Sequence, residues 1–250
     1  MSLTPDALAR FARDDVPVFV IDIETTGTEY DDDIIEFGLY DYSTGEGWGT
    51  FVRPERYPAS KTEFVTGISD EMVKDAPSIQ EALDELHRRA PLDSSYFIAH
   101  NGLRFDFPKI NAAIDWAVST VPYIDESNMI DSLNIARHIL PWYEVTAHTV
   151  TYLIDHYGIE GEQEHRAQSD CWFTAQVLNR MLDEAPLRGV DYADVSDLVI
   201  AGQTGYSPTR EERAARKTLK ALERARSEGL SDRVISSLEL SYNLACEKCN

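Results

Sequence analysis

Two carboxylates, Asp22 and Glu24, end a strongly apolar segment in the sequence DIETT. If the chain is extended from Pro17 to Glu24, alternate residues share a face, so both carboxylates point the same way at the end of the strand. Two like charges this close are unfavourable unless a cation neutralises them or one takes up a proton. Carboxylate oxygens without nearby Cys or His select hard ions such as Mg²⁺ or Mn²⁺. The alternative is a strand-end turn in which Asp22 and Thr25 or Thr26 merely hydrogen-bond the backbone, with Gly27 supplying a positive φ.

Two further acids and a histidine stand where helices are expected to begin. Asp106 falls at the start of a predicted helix over 105–118, and Asp170 early in one over 167–182. His165 precedes Asp170 by five residues, just outside the same helix, and an imidazole can accept a proton near neutral pH. Both acids have a structural alternative, because Asp is a common helix cap and a favourable first-turn residue. These residues alone leave both interpretations open.

The elements that must position these side chains form an α/β pattern. Both faces of the first strand are apolar up to Asp22, as expected for a central strand covered on both sides. Open α/β sheets place their sites at the carboxyl ends of strands. We expect four more strands, at Asp33 to Tyr42, Gly47 to Arg53, Tyr96 to Ala99 and near Val121 to Ile124. The main helices are expected at 78–89, 105–118, 128–140, 146–157, 167–182 and 209–228, whereas 192–205 is ambiguous.

The chain has 250 residues and a formal charge of -21, within a globular composition. A run of about 18 apolar residues is missing, and the first residues lack the apolar core of a signal peptide. Three cysteines cannot form a disulfide framework. We therefore expect a soluble, cytoplasmic protein that makes no membrane contact. The acidic charge excludes broad electrostatic adhesion to nucleic acid, because the bulk surface should repel a polyanion.

The chain divides into an N-terminal lead (1–16), a main domain (17–184) and a mainly helical C-terminal extension of unknown role (185–250). In the extension, five cations recur every three or four residues and would line one side of a helix: Arg210, Arg213, Lys217, Lys220 and Arg224. One interpretation is that they draw a nucleic-acid strand towards an otherwise repelling body. The other is a solvated helix face with Glu211, Glu212 and Glu223 as partners.

Cys246 and Cys249, close to the last residue, have the spacing of half a zinc site. A complete structural site needs four ligands. Cys171, a histidine or a second subunit could supply the others, and the alternative is a frayed terminus.

Three segments together resemble the motifs of the DnaQ-like, DEDDh 3′→5′ exonuclease family: 22–27 (DIETTG), 99–108 (AHNGLRFDFP) and 165–170 (HRAQSD). Their order and separation match the family, and the resemblance covers about 17–182. The middle motif resembles the version found in three-prime repair exonucleases. His165 selects the histidine type, because the tyrosine type carries Tyr where this chain has Arg166.

The resemblance implies an RNase H-like mixed five-stranded sheet flanked by helices, with the small helical extension appended. It further implies that Asp22, Glu24, Asp106 and Asp170 hold two divalent ions, Mg²⁺ or Mn²⁺, and that His165 is the general base. Six residues are expected to contact substrate: Thr25, Thr26, Gly67, Ile68, His100 and Asn101. Many members have histidine where this chain has Thr66. His100 and Asn101 could instead shape the site from behind, and the same holds for Asp131.

The expected activity is a metal-dependent 3′→5′ exonuclease that releases nucleoside 5′-monophosphates from single-stranded or frayed DNA ends, in proofreading, repair or end trimming. Phe64, Phe105 or Trp172 could stack terminal bases, with core packing as the alternative. A polymerase or another repair protein is a possible partner. Two other functions stay open: an RNA-trimming enzyme of the same family, and a nucleic-acid or polymerase-binding module that has lost the chemistry.

Overall fold

A computed structural model describes residues 16–161, 166–193 and 195–249. Its centre is a mixed five-stranded sheet in the order β3-β2-β1-β4-β5. The strands are β1 (Val18–Thr25), β2 (Ile34–Asp41), β3 (Gly47–Phe51), β4 (Tyr96–Ala99) and β5 (Met129–Asp131). β2 runs antiparallel to β1 and β3, whereas β4 and β5 run parallel to β1. The predicted α/β class with a mixed five-stranded sheet is confirmed.

The alternation of β1 separates two hydrophobic cores, one on each face of the sheet. Phe19, Ile21 and Ile23 pack on one side, and Val18 and Val20 on the other. Both faces are covered because β1 is the middle strand, which explains its nearly unbroken apolar sequence.

Ten α-helices lie in the described ranges: α1 (Glu63–Thr66), α2 (Asp70–Val73), α3 (Ile79–Arg89), α4 (Asp106–Trp116), α5 (Ser132–Ile139), α6 (Val150–Tyr157), α7 (Ala167–Glu184), α8 (Val195–Gln203), α9 (Arg210–Ser227) and α10 (Asp232–Cys246). α3 and α4 cover the Phe19 face, while α5, α6, α7 and α8 cover the Val20 face. None of the helices in these ranges combines the length and apolarity needed to cross a membrane.

The predicted fifth strand near residues 121–124 is wrong, because the fifth strand is Met129–Asp131. Residues 121–124 are a loop, and the Asn111 amide bonds both the N–H and the carbonyl of Ile124, at 3.0 Å each. Three strand residues are too few to show alternation, so the sequence pattern extends the following helix back over them. That helix in fact begins at Ser132, where Asp131 caps it by accepting the Leu133 N–H.

The ambiguous segment 192–205 contains α8, which packs on β5 and joins the core through Val195 and Leu198. Close approach requires Gly202, because a Cβ there would lie 2.6 Å from the Asp131 nitrogen. α9 and α10 follow as a helical hairpin. The Arg216 guanidinium lies 4.0 Å from the centre of the Trp142 ring, and its Nε donates to the Thr146 carbonyl at 3.1 Å. These contacts hold the hairpin to the main domain.

Candidate active site

Three carboxylates converge on one face of the sheet. Asp22 and Glu24 project from the end of β1, and Asp170 projects from the first turn of α7. One carboxylate oxygen from each lies within 4.8 Å of the other two. In the described ranges this is the one group of three or more His, Cys, Asp or Glu side chains close enough to share a metal ion.

Glycines in the sheet allow α7 to approach so closely. A Cβ on Gly38 of β2 would lie 2.1 Å from the carbonyl carbon of Ala167, the first residue of the helix. Cβ atoms on Gly47 and Gly49 would likewise crowd the Gln168 side chain. Glycine at these positions therefore lets the first turn of α7 lie directly on the strands.

Asp106 begins α4 and lies next to the converging carboxylates without joining them. β4 pairs with β1 only as far as Val20, which leaves the Ile23 N–H without a strand partner on that side. The Asp106 carboxylate accepts this N–H at 3.3 Å. Asp106 is only 3% exposed, so the carboxylate is buried against the strand that carries the other two acids.

Burial and mutual repulsion raise the pKa values of this site. The pKa of Asp22 is raised well above its usual value, first by burial and then by Asp106, Glu24 and Asp170. The pKa of Glu24 rises to about 7 through burial and the nearby acids, although Arg166 opposes this. Burial likewise raises the pKa of Asp106 to about 7. The site thus holds more negative charge than it can stabilise alone, and its donors are all carboxylate oxygens. Both properties fit a hard divalent cation.

Glu36 is a further acid at this site that sequence reasoning missed. It lies directly opposite Glu24 in the β1–β2 pairing and is buried. Its carboxylate accepts a hydrogen bond from the Arg166 guanidinium at 2.6 Å and another from the Ala167 N–H at 3.3 Å. The Arg166 guanidinium also lies 4.4 Å from the centre of the Phe51 ring. Glu36 therefore attaches the start of α7 to the sheet. A lone acid inside the apolar strand sequence IIEFGL was the available signal.

We expect Glu36→Gln to lower both Mn²⁺ affinity and turnover by roughly 10- to 100-fold, the usual effect of a residue that supports metal ligands. Glutamine keeps the size of the side chain but removes the charge that pairs with Arg166. Mn²⁺ titration and single-turnover rates measure the two effects. Glu46→Gln, an exposed acid in the β2–β3 turn, is the matched control. Equal behaviour of the two variants would remove Glu36 from this role.

The predicted base, His165, lies outside the described residues. Arg166 and Ala167, the next two residues, are both bonded to Glu36 at the edge of the site. The role of His165 stays a prediction.

The two threonines of the first motif are used within the turn that follows β1. Thr25 Oγ1 donates to the Gly27 carbonyl at 2.7 Å, and Thr26 Oγ1 donates to Asp32 at 3.2 Å. Both side chains are buried. A Cβ on Gly27 would lie 2.3 Å from the Asp32 carboxylate, so this turn requires a residue without a side chain. The threonine hydroxyls thus stabilise the strand end, as the turn interpretation expected of them.

Gly67 and Ile68, which are expected to contact substrate, follow a short segment that is attached to β1, because Thr62 Oγ1 donates to the Thr25 carbonyl at 2.7 Å. Gly67 ends α1 with a φ of 68°, in the left-handed region. The Ile68 side chain is fully buried, so only its backbone could meet a substrate. Phe64, by contrast, is 88% exposed and is the aromatic side chain of this segment that is free to stack a base.

His100 and Asn101 lie in the loop that leads from β4 to α4. His100 Nε2 donates to the His148 carbonyl at 2.8 Å, and its Nδ1 lies 3.0 Å from Ser132 Oγ. Burial lowers the pKa of His100 to about 4, so the ring is neutral near pH 7. Asn101 has a φ of 67°, and its N–H donates to Asp131 at 2.9 Å. These contacts shape the loop, whereas substrate contact by either residue stays a prediction.

The cysteines do not form a metal site within the described ranges. Cys171 is buried in the core, remote from the terminal pair. Cys246 ends α10, and Cys249 Sγ contacts the Ala245 carbonyl at 3.4 Å. A zinc site completed by Cys171 is therefore not formed among the described residues, in which α10 ends at Cys246 and turns follow as far as Cys249.

Known protein families and structures resemble this chain. The family model RNase_T, described as an exonuclease, matches residues 19–178. The chain therefore belongs to this exonuclease family, and the resemblance to DnaQ-like 3′→5′ exonucleases is confirmed.

Two curated relatives are much longer than this chain. It is 29% identical over 195 residues to "DNA polymerase III PolC-type" of Bacillus subtilis (strain 168), a match that covers 76% of this chain and 13% of the relative. It is 27% identical over 184 residues to "3'-5' exonuclease DinG" of the same organism, covering 72% of this chain and 19% of the relative. The chain thus spans less than a fifth of either relative.

Solved structures share the fold. Exonuclease X in complex with 5′ overhanging duplex DNA is 21% identical with a TM-score of 0.53, and the match covers 73% of this chain and 99% of that one. Escherichia coli exonuclease I in complex with a dT13 oligonucleotide is 16% identical with a TM-score of 0.58, and the match covers 70% of this chain and 42% of that one. At these identities the likeness concerns the fold alone.

Proposed function

We propose that this chain is a divalent-metal-dependent 3′→5′ exonuclease that releases nucleoside 5′-monophosphates from single-stranded or frayed DNA ends. The observation that carries the proposal is the convergence of Asp22, Glu24 and Asp170 within 4.8 Å on one sheet face. Membership of an exonuclease family gives this cluster its chemical meaning. The complete set of acidic motif residues weighs against a module that binds nucleic acid without cleaving it.

Four carboxylates, Asp22, Glu24, Asp106 and Asp170, would hold two Mg²⁺ or Mn²⁺ ions. When bound, such ions activate water and stabilise the charge that develops in phosphoryl transfer. Asp106 would have to divide its oxygens between an ion and the Ile23 N–H. His165 would take the proton from the attacking water, and Glu36 would keep α7 in place through Arg166 and Ala167.

DNA is the favoured substrate because two fold neighbours, exonuclease X and exonuclease I, are complexes with DNA. The PolC-type polymerase among the relatives supports proofreading as one role, and repair or end trimming are the others. A polymerase or repair protein is the corresponding partner. Cleavage of RNA is the main alternative substrate preference.

The test is incubation of the purified chain with 5′-labelled DNA and RNA oligonucleotides of one sequence, with Mg²⁺, with Mn²⁺ or with chelator. We expect a metal-dependent ladder shortened from the 3′ end, with DNA degraded faster. 3′-labelled strands should release labelled mononucleotide as the first product. Faster degradation of RNA would reverse the substrate assignment, and no ladder on either strand would defeat the enzyme proposal.

Metal binding should release protons from the carboxyl groups of the site. More protons should be released below neutral pH than above it. Because the pKa values of Glu24 and Asp106 are raised to about 7, both carboxyls are largely protonated at pH 6 in the metal-free protein. A cation must displace these protons, so metal affinity should rise with pH through about 7. Calorimetric Mn²⁺ titration in two buffers should show roughly one to two more protons released at pH 6 than at pH 9, because Glu24 and Asp106 lose their protons between these pH values. Proton release that does not change with pH would contradict this.

The same raised pKa values have a consequence for stability. The protonated carboxyl groups of Glu24 and Asp106 contribute to the stability of the metal-free protein at pH values below their pKa in the unfolded chain. This contribution is lost as pH rises through their pKa of about 7 in the folded protein. Metal-free protein should therefore lose stability between about pH 4 and 7, and bound metal should reduce that loss.

A further inference from the structure

Five cations form a basic stripe along the exposed side of α9: Arg210, Arg213, Lys217, Lys220 and Arg224. All five side chains are exposed. The buried residues of the helix, among them Ala215, Leu219 and Leu222, lie on the opposite side of it. The stripe covers about 21 Å along the helix axis at the usual helical rise.

The acidic residues expected to neutralise the stripe do not do so. Glu212 turns inwards and is 8% exposed, and it accepts hydrogen bonds from the Tyr206 hydroxyl and from the Thr209 N–H. Within the described part of the chain, the basic stripe makes a single ion pair, between Arg224 and Glu228. The other four cations have no acidic partner within 4.0 Å there.

This arrangement does not stabilise the helix. Neighbours in the stripe are three or four residues apart, and like charges at this spacing are mildly destabilising. Residues 209–228 carry seven basic and four acidic side chains, whereas the chain as a whole has a charge of -21. Four exposed cations without an ion-pair partner in the described residues form a local positive field that can attract an anionic ligand.

The hairpin that carries the stripe is attached near the loop that contains His100 and Asn101. Arg216 packs on Trp142, whose ring centre lies 5.4 Å from that of His148. The His148 carbonyl in turn accepts the hydrogen bond from His100, directly after β4. A direct set of contacts thus links α9 to the carboxyl ends of the parallel strands.

We propose that the basic stripe binds backbone phosphates of the nucleic-acid strand whose 3′ end occupies the active site. The inference rests on the proposed function. Phosphates are the complementary partner because each contact releases condensed counterions, a gain that the acidic body cannot provide. The stripe should therefore raise affinity for strands long enough to reach it, and leave the chemical step and very short substrates unchanged.

The test compares the full chain with a stripe variant, Arg213→Gln/Lys217→Gln/Lys220→Gln. The control variant, Lys74→Gln/Arg88→Gln/Arg89→Gln, changes net charge equally but at cations paired with Glu71 and Glu85. For a 30-nucleotide strand, we expect KM of the stripe variant to rise about tenfold at low salt with kcat unchanged. The slope of log affinity against log salt should become shallower by about 2, since each phosphate contact on a single strand contributes roughly 0.7. A trinucleotide should be cleaved equally by all three proteins.

Two results would overturn the proposal. One is a stripe variant with the same KM and salt slope as the control, which would show that these cations do not bind the substrate strand. The other is an equal loss on the trinucleotide, which would indicate damage to the active site. Fluorescence anisotropy with the labelled 30-nucleotide strand measures binding without turnover. If none of the proteins cleaves, the proposed function has failed, and the salt slope of binding still decides the role of the stripe.

Discussion

Asp170→Asn should reduce exonuclease turnover by roughly 10³-fold or more, the scale expected when a group that acts together with others in the catalytic centre is removed. Asp170 is the member of the converging cluster that α7 contributes, so its loss leaves Asp22 and Glu24 without the third carboxylate. Asparagine keeps the size of the side chain and removes its charge. Single-turnover degradation of a labelled strand in saturating Mg²⁺ measures the effect.

Asp183→Asn provides the matched control, because Asp183 is an exposed acid on the same helix. We expect it to retain full activity. Thermal unfolding should show that both variants fold. Equal rates for Asp170→Asn and the parent chain would rule out the proposed centre.

His165→Ala should lower kcat by roughly 10²- to 10⁴-fold, the usual contribution of a general base. Mn²⁺ affinity should change by no more than about twofold, because the proposed ligands are all carboxylates. The pH profile gives the sharper result. The rise in rate attributable to imidazole deprotonation should disappear, and added imidazole should restore part of the activity.

His156→Ala is the control, because His156 is an exposed histidine on α6 that packs against Tyr152 and Tyr157. A loss of metal binding in His165→Ala as large as its loss of rate would make His165 a ligand or a structural support. In either case the assignment as general base would be withdrawn.

The sequence predicted those parts of the fold that depend on neighbouring residues. The alternation in β1 and the helical patterns over 78–89 and 209–228 are local signals, and the elements they predict lie where expected. The short strand β5 was missed because its identity depends on pairing with Phe97 and Ile98. The sequence of a three-residue segment does not show which strand it pairs with.

The candidate site was predictable as a set of residue types but not as an arrangement. Motif spacing identified Asp22, Glu24 and Asp170, yet the contact between Glu36 and Arg166 joins residues 130 positions apart. The inward direction of Thr26 and Ile68 likewise depends on neighbours that are supplied only by the fold. Residue types therefore indicate the chemistry, whereas burial and long-range hydrogen bonds determine which side chains face a substrate.

The hydrogen bond between the Ile23 N–H and Asp106 makes one backbone amide a spectroscopic reporter of the site. This amide lies between the two β1 acids, Asp22 and Glu24. It donates to the Asp106 carboxylate, which would also bind an ion. Any cation that draws Asp106 away lengthens the bond, and protonation of Asp106 weakens it. The ¹⁵N–¹H resonance of Ile23 would thus follow the charge state of the site without a label on the nucleic acid and without turnover.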